Sequence, residues 1–420
     1  METWKKNLYI VFFAEMVAIT GIAFVTPFLP LYIKELGITN VEQAAHWSGW
    51  LVSAPALAVV IISPVWGSLA DRYGRKPMIV RAFFGGAIAI FLMSMVVNVQ
   101  QLLFLRLLQG ALSGTIAACN SLIAASSPAK KMGSSLGLLQ TGIFVGIFFG
   151  PLIGGVSADI FGFQNAFKIT AALLFFSGTF ILFFVQENFV PCPTKKIKIP
   201  FKKRIALISN YKPLLIIFAL LFLFQFSTKA IMPILPLFVD TLMPDPTKVS
   251  TITGLMFALT GLTAAISSVN LGKLFENRPN LIILIVSLIA SGIFFFAQGL
   301  TTSIRQLAML RLCLGFCYGG IIPIANTIIS LITPSKNRGK IFGFANSVTF
   351  LGTILGPLIG GFVVGFFHNT SYVFFLTGII LLCAGTILPV VLRNIEMPIL
   401  QQEKTPQEAS HNESFSAHFK

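Results

Sequence analysis

The sequence predicts an all-α membrane protein of twelve transmembrane helices, arranged as two pseudo-symmetric six-helix bundles. Three observations carry this expectation. The 420 residues are 55% hydrophobic and only 10% charged, where a soluble domain carries about 25% charged residues. Apolar stretches long enough to cross about 30 Å of hydrocarbon recur twelve times. The second six of them repeat the first six at an offset of 205 or 206 residues.

The predicted spans lie near 8–33, 48–70, 78–97, 102–125, 135–161, 167–185, 214–239, 251–274, 281–300, 307–332, 341–367 and 372–392. Basic residues set their direction. Twenty-three Lys and Arg fall in segments on the side of the amino terminus, from Lys5 and Lys6 through Arg72, Arg75, Lys76 and Arg81 to Lys420. Only Lys34, Lys168, Lys248 and Arg305 fall on the other side. Such a bias marks the cytoplasmic face and places both termini there. The longest polar break, 186–212, contains PTKKIKIPFKKR and reads as a basic cytoplasmic linker against anionic lipid. Domain organisation follows: 1–185 and 213–392 are the two bundles, and 393–420 is a polar, aperiodic tail expected to be disordered.

The repeat is read from particular residues. Pro27-Phe28-Leu29-Pro30-Leu31 returns as Pro233-Ile234-Leu235-Pro236-Leu237, and Leu105-Arg106-Leu107 with Gly110 returns as Leu310-Arg311-Leu312 with Gly315. Gly146, Gly150, Pro151, Gly154 and Gly155 return as Gly352, Gly356, Pro357, Gly360 and Gly361. Six spans separate the copies, so both halves run in the same direction. A parallel duplication about the membrane normal is the architecture of alternating-access carriers.

The turn after the second span reads Gly67-Ser68-Leu69-Ala70-Asp71-Arg72-Tyr73-Gly74-Arg75-Lys76. It resembles the loop G-x-L-a-D-r-x-G-r-k of the major facilitator superfamily, and the match is complete. The resemblance implies a cytoplasmic gate in which Asp71 meets the start of span 11 near Arg338 and Lys340 and favours the outward-facing state. The second-half copy, Gly272 to Arg278, is eroded. Span 5 carries G-x-x-x-G-P-x-x-G-G, similar to the motif of antiporters in this superfamily. Its glycines at every fourth position make a flat face for close helix contact, and Pro151 removes one backbone hydrogen bond. Across its whole length the chain resembles the twelve-span drug:proton antiporters, the MdtG-type efflux proteins in particular. That implies proton-driven export of drugs or small amphipathic metabolites from the bacterial inner membrane by a monomer.

Four charges fall inside spans at least four residues from either end: Glu15, Arg106, Lys229 and Arg311, on spans 1, 4, 7 and 10. The resemblance makes these the cavity-lining spans, and charge is costly in lipid, so the four are candidates for proton coupling or substrate recognition. Four readings stay open for Glu15: a proton carrier, a counter-ion for cationic substrates, a structural ion pair within the cavity, with Lys229 as the candidate partner, and a snorkelling residue at the edge of the span. Burial raises a carboxylate's pKa and a nearby cation lowers it, which is how such a group gains and loses a proton. Gln109, Asn120, Gln140, Phe144, Gln225, Tyr318 and Asn326 are the expected lining of a polyspecific cavity. Lys229 adds acidic or zwitterionic compounds to the substrate classes.

Other functions are excluded or disfavoured. The basic residues sit in short loops, so the net charge of +16 does not signal nucleic acid. No G-x-x-x-x-G-K-[ST] loop supports an ATP-driven pump, and the four histidines fall in loops or the tail, which leaves no enzyme constellation. Neither a metal nor a cofactor is expected. Proton-coupled uptake of a nutrient, export of one specific metabolite or siderophore, and a non-transporting membrane sensor remain as alternatives.

Overall fold

The computed structural model describes residues 2–128, 131–187, 189, 212–243, 245–277, 281–333 and 338–393. The basic linker and the tail lie outside the described residues. Twelve helices are long and apolar enough to cross a membrane: Thr3–Glu35, Val41–Tyr73, Arg75–Met93, Val99–Ser126, Ser134–Phe161, Phe163–Phe184, Pro213–Ile231, Val249–Leu271, Leu281–Gln298, Ile304–Ile332, Ile341–Phe367 and Ser371–Val390, here spans 1 to 12. There is no strand among the described residues. The fold is therefore the all-helical membrane architecture read from the sequence.

Local chemistry starts and stops these helices. The Asn40 side chain accepts from the Glu42 and Gln43 amides and caps span 2, and Asn98 does the same for span 4 through Gln101. Gly74 and Gly162 take positive φ angles of 96° and 78°, which turn the chain between spans 2 and 3 and between spans 5 and 6.

Spans 1, 4, 7 and 10 are interrupted. Span 1 passes through a 3₁₀ turn at Thr26–Phe28 and resumes as a tip helix, Leu29–Glu35. Span 7 ends at Ile231 and resumes as a tip helix, Leu235–Leu242. Span 4 breaks between Leu112 and Thr115, where Ser113 is extended and Gly114 has a φ of 112°. Span 10 is interrupted at Gly319 and Gly320. The repeated PFLPL and PILPL segments are the breaks of spans 1 and 7, since proline cannot continue the backbone ladder. Discontinuous helices of this kind surround the binding sites of membrane carriers.

Call the face carrying Thr3 and the Asp71–Arg75 turn the basic face, and its opposite the far face. The two halves meet through spans 2 and 11 and through spans 5 and 8. The close contacts all lie towards the far face. Gly49 lies against the Pro357 carbonyl, Gly361 against Ala45, Gly254 against the Pro151 carbonyl, and Gly155 against Ser250. Towards the basic face the same spans separate: Ile61, Val65 and Phe350 are exposed, and Gly67, Gly137 and Gly343 have nothing beside them. The molecule is closed at the far face and open at the basic face.

Candidate functional site

Glu15 is fully buried on span 1. Thr115 Oγ1 donates to its Oε1 at 3.1 Å, and the Cys119 thiol donates to Oε2 at 3.2 Å. Both donors stand on the first two turns of the half-helix that follows the span 4 break. The break therefore turns the positive end of a twelve-residue helix towards the carboxyl. No cation pairs with Glu15 among the described residues. The ion pair with Lys229 that the sequence left open is absent from them, because the donors come from span 4 of the same half.

Arg106 is buried on the upper part of span 4. Its Nε donates to the Leu51 carbonyl of span 2 at 2.9 Å, and its Nη1 donates to the Gln109 side chain at 2.7 Å. Gln109, expected in the open cavity, is 5% exposed and is taken up by this arginine. The repeat-equivalent Arg311 is just as buried, but its Nε and Nη2 have no acceptor. One of the two acceptors that Arg106 uses is missing in the repeat, where Gln109 is replaced by the apolar Leu314. Lys229 is half-buried against Gly356 of span 11, and no described residue pairs with it.

The glycine-proline motif divides into two faces. Gly146, Gly150 and Gly154 hold span 5 against Met16, Thr20, Ala23 and Phe24 of span 1, while the next residue, Gly155, meets span 8 across the seam. Gly352, Gly356 and Gly360 hold span 11 against Phe222, Phe226 and Ala230 of span 7, and Gly361 meets span 2. Pro151 and Pro357 turn their own carbonyls onto Gly254 and Gly49, so each proline sits in the seam. Asp159 adds a polar contact there, accepting from the Ser250 and Thr251 amides at 3.3 and 2.7 Å.

The remaining expected residues are spread along the opening. Gln140 and Phe144 are exposed on span 5, on the same stripe as Phe148 and Gly155, below the point where spans 5 and 8 part. Asn120, Gln225, Tyr318 and Asn326 are half-buried, with the Tyr318 ring 5.7 Å from that of Phe224. At the basic face Gly67, Asp71 and Arg72 are exposed, and the Arg72 guanidinium lies over the Tyr73 ring. The side chain of Lys340, one expected partner of Asp71, lies outside the described residues.

Several residues of consequence escaped the sequence reading. Glu187, just beyond span 6, caps span 3: its carboxylate accepts from the Arg75 amide at 2.9 Å and the Lys76 amide at 2.7 Å. Arg81 was counted with the basic loops. It stands instead within span 3, half-buried, with its guanidinium 3.5 Å from the centre of the Trp66 ring. Its stacking on an aromatic face explains how it is accommodated there. A single charge at the start of an apolar run looks the same in sequence whether it turns in or out.

Comparison with known proteins gives one consistent relationship. The Major Facilitator Superfamily profile matches residues 11–280 and 217–419. "Multidrug resistance protein MdtG" of Salmonella typhimurium is 37% identical over 357 residues, covering 85% of this chain and 88% of that protein. The protein of the same name in Proteus mirabilis is 36% identical over 382 residues, 89% of this chain and 94% of the relative. Among solved structures, an inward-facing and occupied bacterial homolog of the human lysosomal transporter Spinster superposes with a TM-score of 0.79 at 14% identity, over 95% of this chain and 99% of that one. A mutant of the nucleoside transporter NupG superposes at 0.76 and 15% identity, over 92% and 99%.

Proposed function

Because the chain belongs to the Major Facilitator Superfamily and is a multi-pass secondary transporter, we propose that it exports drugs or small amphipathic molecules in exchange for protons, as a monomer in the bacterial inner membrane. The printed name of its MdtG relatives supports the substrate class. The positive bias of the basic face supports placing that face and both termini in the cytoplasm. The conformation described above is then the inward-facing one.

The observation that carries proton coupling is the Glu15 site. Glu15 is buried, it faces two neutral donors and the start of a half-helix, and no cation holds it permanently charged among the described residues. As a carboxylate it accepts from Thr115 and Cys119. As an acid it loses one of those bonds and no ion pair. A carboxyl whose two protonation states differ by so little in partners is suited to exchange its proton as access alternates. Spans 5, 8, 2 and 11 make the seam that must part for the far face to open, and their small residues allow backbones to meet and separate without interlocked side chains.

Inverted membrane vesicles holding a respiratory pH gradient test the reading. Compound-dependent collapse of the gradient in wild type, lost in Glu15→Gln, is the expected result. Collapse that survives in Glu15→Gln removes Glu15 from the coupling path. The unpartnered Lys229 and Arg311 place acidic and zwitterionic compounds on the panel beside lipophilic cations.

A further inference from the structure

The span 4 break exposes backbone carbonyls that have lost their helical partners, and two side chains from neighbouring spans take them. Trp66 of span 2 donates its indole N–H to the Ala111 carbonyl at 2.7 Å. Arg81 of span 3 donates from Nη2 to the Ser113 carbonyl at 3.4 Å, and its guanidinium is stacked on the same Trp66 ring. Gly85, one turn beyond Arg81, lets span 3 approach Leu112 closely. The next residue after Gly114 is Thr115, which donates to Glu15. Trp66 and Arg81 thus stand on one side of the break and Glu15 on the other.

We propose that Trp66 and Arg81 are positioning residues for the Glu15 site: by holding the freed Ala111 and Ser113 carbonyls, they fix the lower half of span 4 so that Thr115 and Cys119 meet the carboxyl. The repeat supports this assignment. In the second half Trp66 is replaced by Leu271, Arg81 by Val286, Thr115 by Gly320 and Glu15 by Leu221. The brace and the acid are lost together, while the interruption of span 10 persists at Gly319 and Gly320. An interruption alone therefore needs no such brace; one that must present donors to a carboxyl has it. The cost of leaving carbonyls without partners inside a membrane gives the brace its purchase.

The groups around Glu15 are few. Cys119 is the one titratable side chain that touches it among the described residues. Spans 5 and 6, packed on span 1, present Gly142, Gly146 and Thr170 to it and no charge. Arg81 faces Trp66, Met78 and Ser113, with no carboxylate beside it among the described residues.

The inference rests on Glu15 as a titrating carboxyl, and it is tested without transport. Dicyclohexylcarbodiimide modifies protonated carboxyl groups, so the extent of Glu15 modification across a pH series, read by mass spectrometry on the purified full chain in detergent, gives a midpoint. Thr115→Val removes a donor to the charged form and moves the midpoint to higher pH by about one unit. Trp66→Phe, which keeps the ring and loses the N–H, and Arg81→Gln move it in the same direction. The double variant Arg81→Gln with Thr115→Val moves the midpoint by less than the sum of the two single shifts, because Arg81 acts partly through Thr115 and partly through Cys119. The proposal is overturned if Trp66→Phe and Arg81→Gln keep the wild-type midpoint, if the double variant shows the sum of the two shifts, or if Thr115→Val leaves the midpoint in place. Should Arg81→Gln not fold, Trp66→Phe decides alone. Failure of the vesicle experiment with an intact midpoint series would leave this assignment standing and reject only the coupling role.

Discussion

Lys34 and Asp240 form an ion pair at 2.5 Å between the tip helices of spans 1 and 7, and they are the same position in the two halves, 206 residues apart. A faithful duplication would have put like charges face to face on the pseudo-two-fold axis. Lysine in one copy and aspartate in the other make an attraction there instead. Each side chain is about three-quarters buried, so the pair is screened less than an ordinary surface bridge. It closes the far face where the two halves meet at their tips.

The sign of that pair is testable by exchange. Lys34→Asp and Asp240→Lys each restore a like-charge meeting, and Lys34→Asp with Asp240→Lys restores the attraction in reverse. With Cys313, Cys317 and Cys383 replaced and a cysteine at Ser53 in the sealed seam, an impermeant maleimide added outside intact cells reports opening. Each single reversal is expected to raise labelling on the order of tenfold, as a shift of about one to two kcal/mol between states would, and the double reversal returns it to the parent rate. A cysteine at Val97, exposed at the far face, labels equally in all four. Singles that label at the parent rate would show the pair does not hold the seam.

The seam itself depends on having no side chain at Gly254. A methyl there would press on the Pro151 carbonyl, while one at Gly67 meets open space. Gly254→Val is expected to disfavour the state closed at the far face by about 1–3 kcal/mol of overpacking, with faster maleimide labelling at position 53 and a more than tenfold loss of export. Gly365→Ala, where a methyl likewise meets nothing, keeps the parental labelling rate.

Glu187 offers a third measurement, on stability alone. Its carboxylate takes the first amides of span 3, and Asn7 and Gln186 exchange two further hydrogen bonds beside it. Glu187→Ala is expected to cost about 1 kcal/mol, the usual worth of a helix cap, seen as a lower melting temperature in detergent. Glu187→Gln, which keeps an acceptor, costs less.

Much of this was legible in the chain because the signals were local or repeated. Spans follow from the length of apolar runs, the duplication from PFLPL and GxxxGPxxGG, and a face for close helix contact from glycines at every fourth position, although that face meets span 1 or span 7 and the seam is made by Gly155 and Gly361. The partners of Glu15 were not legible. An unbroken helix would carry the Arg106 stripe on through Gly110 and Ser113 to Asn120, but the break at Ser113–Gly114 ends that register. Nothing in one sequence pairs Glu15 with Cys119, or Trp66 with Ala111, because those contacts join different spans at chain separations of 104 and 45 residues. Glu187 was hidden for another reason: a carboxylate that caps a distant helix looks like any polar residue after a span.

The two arginines of the repeat should respond oppositely to the same change. Arg106 has the Leu51 carbonyl and the Gln109 oxygen; Arg106→Met leaves both acceptors buried and empty, costing about 1–3 kcal/mol. Arg311 is 4% exposed and has two nitrogens without acceptors, so it already bears a desolvation cost that nothing described in the second half offsets. Arg311→Met removes that cost and is expected to leave the melting temperature of the purified protein unchanged or raised, where Arg106→Met lowers it. The same Arg311→Met variant should lose export of acidic compounds more than of cations, since a guanidinium kept at such cost without a protein partner is accounted for by an acceptor on the substrate. A melting temperature that falls as far for Arg311→Met as for Arg106→Met would mean that the second arginine is structural after all.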